Sequence, residues 1–182
     1  IMLVLECSRN VLNLRKTWVD DYYKAKLRIP KNTVNGKTIG LIGCGNIGSR
    51  VAKRALGLEM NVLAYDPYKP AKDFPEGVEV VRDLDRIFEE SDYVSLHCPN
   101  TSITRNMVNK ERLAQMKDSA FLINTARGAV VVEEDLYEAC KNGVIRGAGL
   151  DAIRKEPVDP ANPLLTLDNV IIYPHIGGNT VE

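Results

Sequence analysis

The chain has 182 residues, and 24 Lys+Arg balance 24 Asp+Glu to a formal net charge of zero, which offers no basic footprint for nucleic acid or an anionic membrane. That length suits one large domain or two small ones, and folding buries roughly 70% of the unfolded surface, enough for a full core. The four cysteines, Cys7, Cys44, Cys98 and Cys140, form no CxxC pair and read as free thiols of a reducing cytosol rather than as metal ligands.

The opening "IMLVLECSRNVLNLRKTW" lacks a basic leader and cleavage site, and no apolar run approaches the roughly 18 residues of a membrane span. The expectation is a soluble, cytoplasmic protein without metal. The same stretch predicts one helix, apolar almost all round its first turns, which needs neighbours on every side. "RIPKNTVNGK" follows as a loop, with Asn35-Gly36 turning into the first strand. The domain boundary falls there: 1–34 as helix and linker, 35–182 as the main domain.

From Lys37 onward, "TIGLIG", "NVLAY", "VEVV", "YVSLH", "AFLINT", "GAGLDA" and "NVIIYP" read as strands. Most are apolar throughout, as a parallel sheet covered on both faces requires. Between them "IGSRVAKRALGLE", "DLDRIFEES", "NKERLAQM" and "EEDLYEACKNG" carry apolar residues at helical spacing, and Gly143 stands where a glycine ends the last helix. Strand and helix in alternation predict a doubly wound α/β sheet of Rossmann type.

"LIGCGNIGSR" places Gly43, Gly45 and Gly48 as GxGxxG between a strand and a helix. The first glycine allows the tight turn, the second lets main chain meet a pyrophosphate, and the third lets helix and strand pack closely. Asn46 and Ile47 then offer uncapped N–H groups at the positive end of the helix. Asp66 lies 18 residues beyond Gly48, at the end of the second strand. There a carboxylate accepts from both ribose hydroxyls and repels a 2′-phosphate, which favours NAD over NADP. Taken alone, the glycines would read as an ordinary tight turn; strand, helix and acid in register read as a dinucleotide site. Flavin proteins share the fingerprint but usually carry it near their start, often with glutamate as the acid.

Ligands of open parallel sheets bind outside the carboxyl ends of the strands. Thr125-Ala126-Arg127-Gly128 follows "AFLIN", Glu156 follows "GAGLD", and His175 follows "NVIIYP". A cationic fork suits a substrate carboxylate, and a histidine–glutamate pair suits proton transfer. Singly, each is an ordinary loop residue; together they mark one edge of the sheet. Cys98-Pro99 is placed to line an adenine or phosphate site, whereas His97 reads as structural. Glu133-Glu134-Asp135 reads as an acidic helix start.

"GLIGCGNIGSRVA", "AYDPY", "SLHCPNT", "INTARGAV", "RGAGLDAIRKEP" and "YPHIGG" together resemble the cofactor domain of the D-isomer-specific 2-hydroxyacid dehydrogenases. The resemblance runs from about Asn35 to the last residue. It implies an NAD-dependent oxidoreductase acting on a 2-oxo or 2-hydroxy acid, of the phosphoglycerate or glyoxylate/hydroxypyruvate type. In that reading His175 is the general acid/base, Glu156 supports its imidazolium, and Arg127 holds the substrate carboxylate. Gly43, Gly45, Asn46, Ile47, Gly48, Asp66, Cys98 and Pro99 would contact the cofactor. So would Thr104, Thr125, Ala126, Arg127, Asp151, His175 and Gly178, with Asp151 near the nicotinamide carboxamide.

Family members are longer, so the resemblance implies a cofactor domain lacking most of its substrate domain. Such a piece is expected to form a homodimer through Ile1–Leu5 and to be inactive alone. Two other readings stay open: an NADH-sensing corepressor of the C-terminal-binding-protein type, and an inert NAD-binding module.

Overall fold

The apolar runs beyond Lys37 form one sheet in a computed structural model that describes residues 1–178. Three helices come first: α1 (Met2–Arg9), α2 (Val11–Thr17) and α3 (Tyr22–Leu27). The seven strands are β1 (Thr38–Ile42), β2 (Asn61–Tyr65), β3 (Glu79–Val80), β4 (Tyr93–Leu96), β5 (Phe121–Asn124), β6 (Gly147–Leu150) and β7 (Val170–Ile172). All neighbours pair in parallel in the order β3-β2-β1-β4-β5-β6-β7. The chain runs outward from β1 to β3, then crosses back to β4 on the other side. That reversal opens a crevice at the carboxyl ends of β1 and β4.

The connecting helices are α4 (Asn46–Gly57), α5 (Leu84–Glu90), α6 (Lys110–Gln115) and α7 (Glu133–Lys141). Alternate strand residues serve two cores. Val94, Leu96, Leu122 and Leu150 pack with Ile87 and Phe88 of α5, Leu113 of α6 and Leu136 of α7. Ile39, Leu41, Val62, Phe121 and Ile123 pack with Ala52 and Ala55 of α4 and with Leu3, Val4 and Cys7 of α1. Helix α5 lies directly on β1, where a Cβ on Gly40 would fall 2.8 Å from Ile87 Cγ2. Gly143 ends α7 at φ 69°, the left-handed role expected of it.

Three details differ from expectation. The opening helix breaks at Asn10, whose φ of 54° and ψ of 43° separate α1 from α2. Asparagine tolerates that conformation, and its side-chain oxygen accepts from Asn13 Nδ2 at 2.8 Å. The apolar run is only partly uncovered: Leu3 and Val4 are buried in the chain's own core while Met2 and Leu5 stay exposed. Only two residues of "VEVV" pair as strand, Glu79 with Leu63 and Val80 with Ala64, although Val81 continues into the core.

Candidate active site

Because every strand points the same way, the segments after β2, β1, β4, β5, β6 and β7 share one edge. After β1, Gly43 takes φ 92°, and a Cβ on it would lie 2.8 Å from the His97 carbonyl carbon. A Cβ on Gly48 would fall 2.2 Å from Gly43 O, whereas one on Gly45 would meet nothing within 4 Å. So the outer glycines are there for packing and the middle one borders open space. Among the described residues no side chain caps α4, and exposed Asn46 and Ile47 form its first turn. Asp66 is tied to the turn, with Oδ2 accepting from Cys44 N at 2.9 Å and Oδ1 from Tyr68 N at 3.1 Å. Lys69 Nζ donates to Cys44 O at 2.7 Å and Ser49 Oγ at 3.0 Å, closing the loop from behind. The open flank at Gly45, the uncapped helix start and the anchored carboxylate fit a dinucleotide.

After β4, Cys98 is buried and burial pushes its thiol up, so it stays protonated. Pro99 is exposed. Thr104 Oγ1 donates to Pro99 O at 2.5 Å and accepts from Thr101 N at 2.8 Å, which braces this loop. His97 turns inward: its Nε2 lies 3.0 Å from Ser95 Oγ, and Nδ1 is buried without a partner among the described residues. Burial, with the Ile1 amino group adding to it, pushes its imidazole down to about 4.

Thr125, Ala126 and Arg127 turn after β5. Asn124 organises that turn: Oδ1 accepts from Ala126 N at 3.0 Å, and Nδ2 donates to Arg127 O at 3.1 Å and Ala152 O at 3.2 Å. Arg127 is exposed, with Nη1 donating to Ala126 O at 2.7 Å. Gly128 lets two main chains touch, since a Cβ there would lie 1.9 Å from the Ile153 carbonyl carbon.

The structure brings the expected proton-transfer pair together. His175 Nδ1 lies 2.8 Å from Glu156 Oε2 and 3.0 Å from Oε1. The side chains are 44% and 41% exposed, open enough to be reached by a substrate. The His175 hydrogen bond holds the Glu156 carboxyl below the usual range, helped by the Ile153 N–H and by the charges of His175 and Arg127. With Nδ1 engaged, Nε2 is left to exchange a proton with a ligand. Asp151 is buried, and its oxygens accept from Ile176 N at 2.9 Å and Gly177 N at 2.8 Å. Among the described residues nothing lies within 4 Å of where a Cβ on Gly178 would sit. Sequence reasoning missed Asn124; its one signal is a polar residue closing the apolar run "FLIN". Among the described residues no three His, Cys, Asp or Glu side chains are placed to hold a metal, and no helix is long and apolar enough to cross a membrane.

Fold and site together define a dinucleotide-binding domain that carries a hydrogen-bonded histidine–glutamate pair at the same sheet edge. Residues 1–177 match the family described as D-isomer specific 2-hydroxyacid dehydrogenase, NAD binding domain. The chain belongs to this family. It is 46% identical over 182 residues to a hydroxypyruvate reductase of Thermotoga maritima, covering 99% of this chain and 58% of that protein. It is 48% identical over 149 residues to a D-3-phosphoglycerate dehydrogenase of Methanocaldococcus jannaschii, covering 81% of this chain and 28% of the relative. The crystal structure of an Aquifex aeolicus D-lactate dehydrogenase complexed with NAD and lactic acid superposes with a TM-score of 0.89 at 35% identity, covering 99% of this chain and 58% of that one. The chain thus spans little more than half the length of the first of these relatives.

Proposed function

We propose that this chain is the cofactor domain, residues 35–182 preceded by an inter-domain segment 1–34, of an NAD-dependent enzyme interconverting a D-2-hydroxy acid and its 2-oxo acid. The observation that carries the reading is the His175–Glu156 pair at 2.8 Å, on the same sheet edge as Arg127, the glycine turn and Asp66. NAD, when bound, supplies the hydride acceptor, and NADH the donor. Gly43, Gly45, Asn46, Ile47 and Gly48 hold the pyrophosphate and Asp66 the ribose. Cys98, Pro99, Thr104, Thr125, Ala126, Asp151 and Gly178 line the rest of the crevice. In reduction Arg127 grips the substrate carboxylate, His175 Nε2 gives its proton to the C2 oxygen, and Glu156 stabilises the imidazolium. The names of the matched relatives, reductases and dehydrogenases, favour this over the corepressor reading and point to hydroxypyruvate, glyoxylate or 3-phosphoglycerate.

The setting is cytoplasmic, supported by four free, buried cysteines. The partner is a second copy of the chain docking on the opening helix, supported by its exposed Met2 and Leu5 and by the exposed Trp18, Val19, Tyr22, Tyr23 and Leu27 that follow it. Calorimetric titration tests the cofactor assignment: NADH binds well above NADPH, and Asp66→Ala narrows the difference; equal affinities for wild type overturn it. In the enzyme with its substrate domain, His175→Ala lowers turnover by roughly 10²–10⁴-fold. The 182-residue chain alone binds NADH without turning over a 2-oxo acid, and light scattering finds it dimeric.

A further inference from the structure

We propose that Asp151 is a positioning residue that fixes His175 and, through Asn124, ties the histidine turn to the Arg127 turn; this rests on the function proposed above. His175 has φ 57°, a left-handed conformation that a non-glycine residue holds where its surroundings impose it. The imposing group sits at the end of the neighbouring strand. Asp151 is 6% exposed, and its two oxygens take the two main-chain N–H groups that follow His175, at 2.9 and 2.8 Å. Consecutive donors on one carboxylate fix the direction in which the chain leaves the histidine. The fit is close, because a Cβ on Gly177 would fall 2.7 Å from Asp151 Oδ2.

The frame extends to the other two functional side chains. Asp151 N donates to Asn124 O at 2.8 Å, and the Asn124 side chain holds Ala126 N and Arg127 O. Ile153 N, two residues beyond Asp151, donates to Glu156 Oε1 at 3.3 Å. Three exposed groups therefore depend on one buried polar strip at the ends of β5 and β6. If Asp151 served the cofactor alone, its loss would weaken NADH binding and leave the His175–Glu156 pair in place. If it holds the turn, the pair separates.

The chain has only two histidines, so the imidazole N–H signals are assignable by NMR, with Glu156→Gln identifying the His175 Nδ1–H signal. Asp151→Asn keeps one acceptor and sets an NH2 against the other donor. It is expected to abolish that signal and to speed amide exchange at Ile176 and Gly177 by about 10-fold or more. Gly177→Ala, which pushes the turn off the carboxylate, is expected to do the same. In the enzyme with its substrate domain, both variants lower kcat and move the pH–rate profile as Glu156→Gln does. An intact His175 signal in either folded variant overturns the proposal, as does a loss of NADH affinity by about 10-fold or more with the signal retained. Should the wild-type enzyme reduce no 2-oxo acid, the proposed function fails, while the NMR comparison still decides whether Asp151 holds His175.

Discussion

Acidification tests the structure at His97. This imidazole lies under the glycine turn, its main chain against Gly43 and its Cβ 3.5 Å from where a Gly48 Cβ would sit. Burial lowers its folded-state value from 6.5 to about 4. Between those two values the unfolded chain binds a proton that the folded chain refuses. The neutral imidazole's contribution is therefore complete above about pH 6.5 and is lost as pH falls toward about 4. At 1.36 kcal/mol per unit, the whole shift corresponds to about 3 kcal/mol, a large part of a domain's typical stability of about 5–15 kcal/mol. Urea unfolding from pH 7.5 to 4.5 on wild type and His97→Gln isolates it, because carboxylates titrate alike in both. The wild type should lose up to about 3 kcal/mol more than the variant across that range. A His97 resonance titrating near 6.5 in the folded protein, or parallel stability curves, would refute the reasoning.

The glycine turn gives a paired test by calorimetry and unfolding. Gly48→Ala drives a Cβ to 2.2 Å from main-chain Gly43 O and should cost about 1–3 kcal/mol of stability as well as NADH binding. Gly45→Ala meets no neighbour and keeps an ordinary φ of −71°, so stability should hold while NADH binding weakens; equal behaviour of the two would contradict the cradle. Glu156→Gln, in the enzyme with its substrate domain, removes the carboxylate that the His175 bond holds low. The alkaline limb of the reduction pH–rate profile should move to lower pH, and an unmoved limb would separate Glu156 from the proton transfer.

The strands were legible because a parallel sheet covered on both faces needs unbroken β-branched runs, and "TIGLIG", "YVSLH" and "AFLIN" leave no polar stripe for solvent. What escaped was decided by single positions or by neighbours. Nothing in helical periodicity marks the turn at Asn10, since its left-handed φ of 54° interrupts a pattern that reads on through it. "VEVV" is right in type but short, because β3 is the sheet's edge and only Glu79 and Val80 find partners. The apolar Ile1–Leu5 run reads as one surface, yet the faces of β5 and β6 absorb Leu3, Val4 and Cys7 and leave Met2 and Leu5 exposed. Sequence shows that a residue is apolar, not which surface will cover it.

The site divides in the same way. The grouping of Arg127, Glu156 and His175 at one edge was legible because each charged or titratable group follows an apolar strand, and a parallel sheet carries the ends of its strands to one edge. Asn124, and the actual bonds of Asp151, were not, because their partners are main-chain groups of other loops: Ala126 N, Arg127 O, Ala152 O, Ile176 N and Gly177 N. No spacing rule encodes those contacts. Their residue types nevertheless follow from the job. Asn124 must both accept and donate at one buried point, which a carboxamide does and a carboxylate cannot. Asp151 faces two donors and no acceptor, which suits a carboxylate and leaves a carboxamide half repelled. The buried pair ties the exposed loops after β5, β6 and β7 to one another, and so turns the fixed spacing of strand ends into fixed positions for the side chains beyond them.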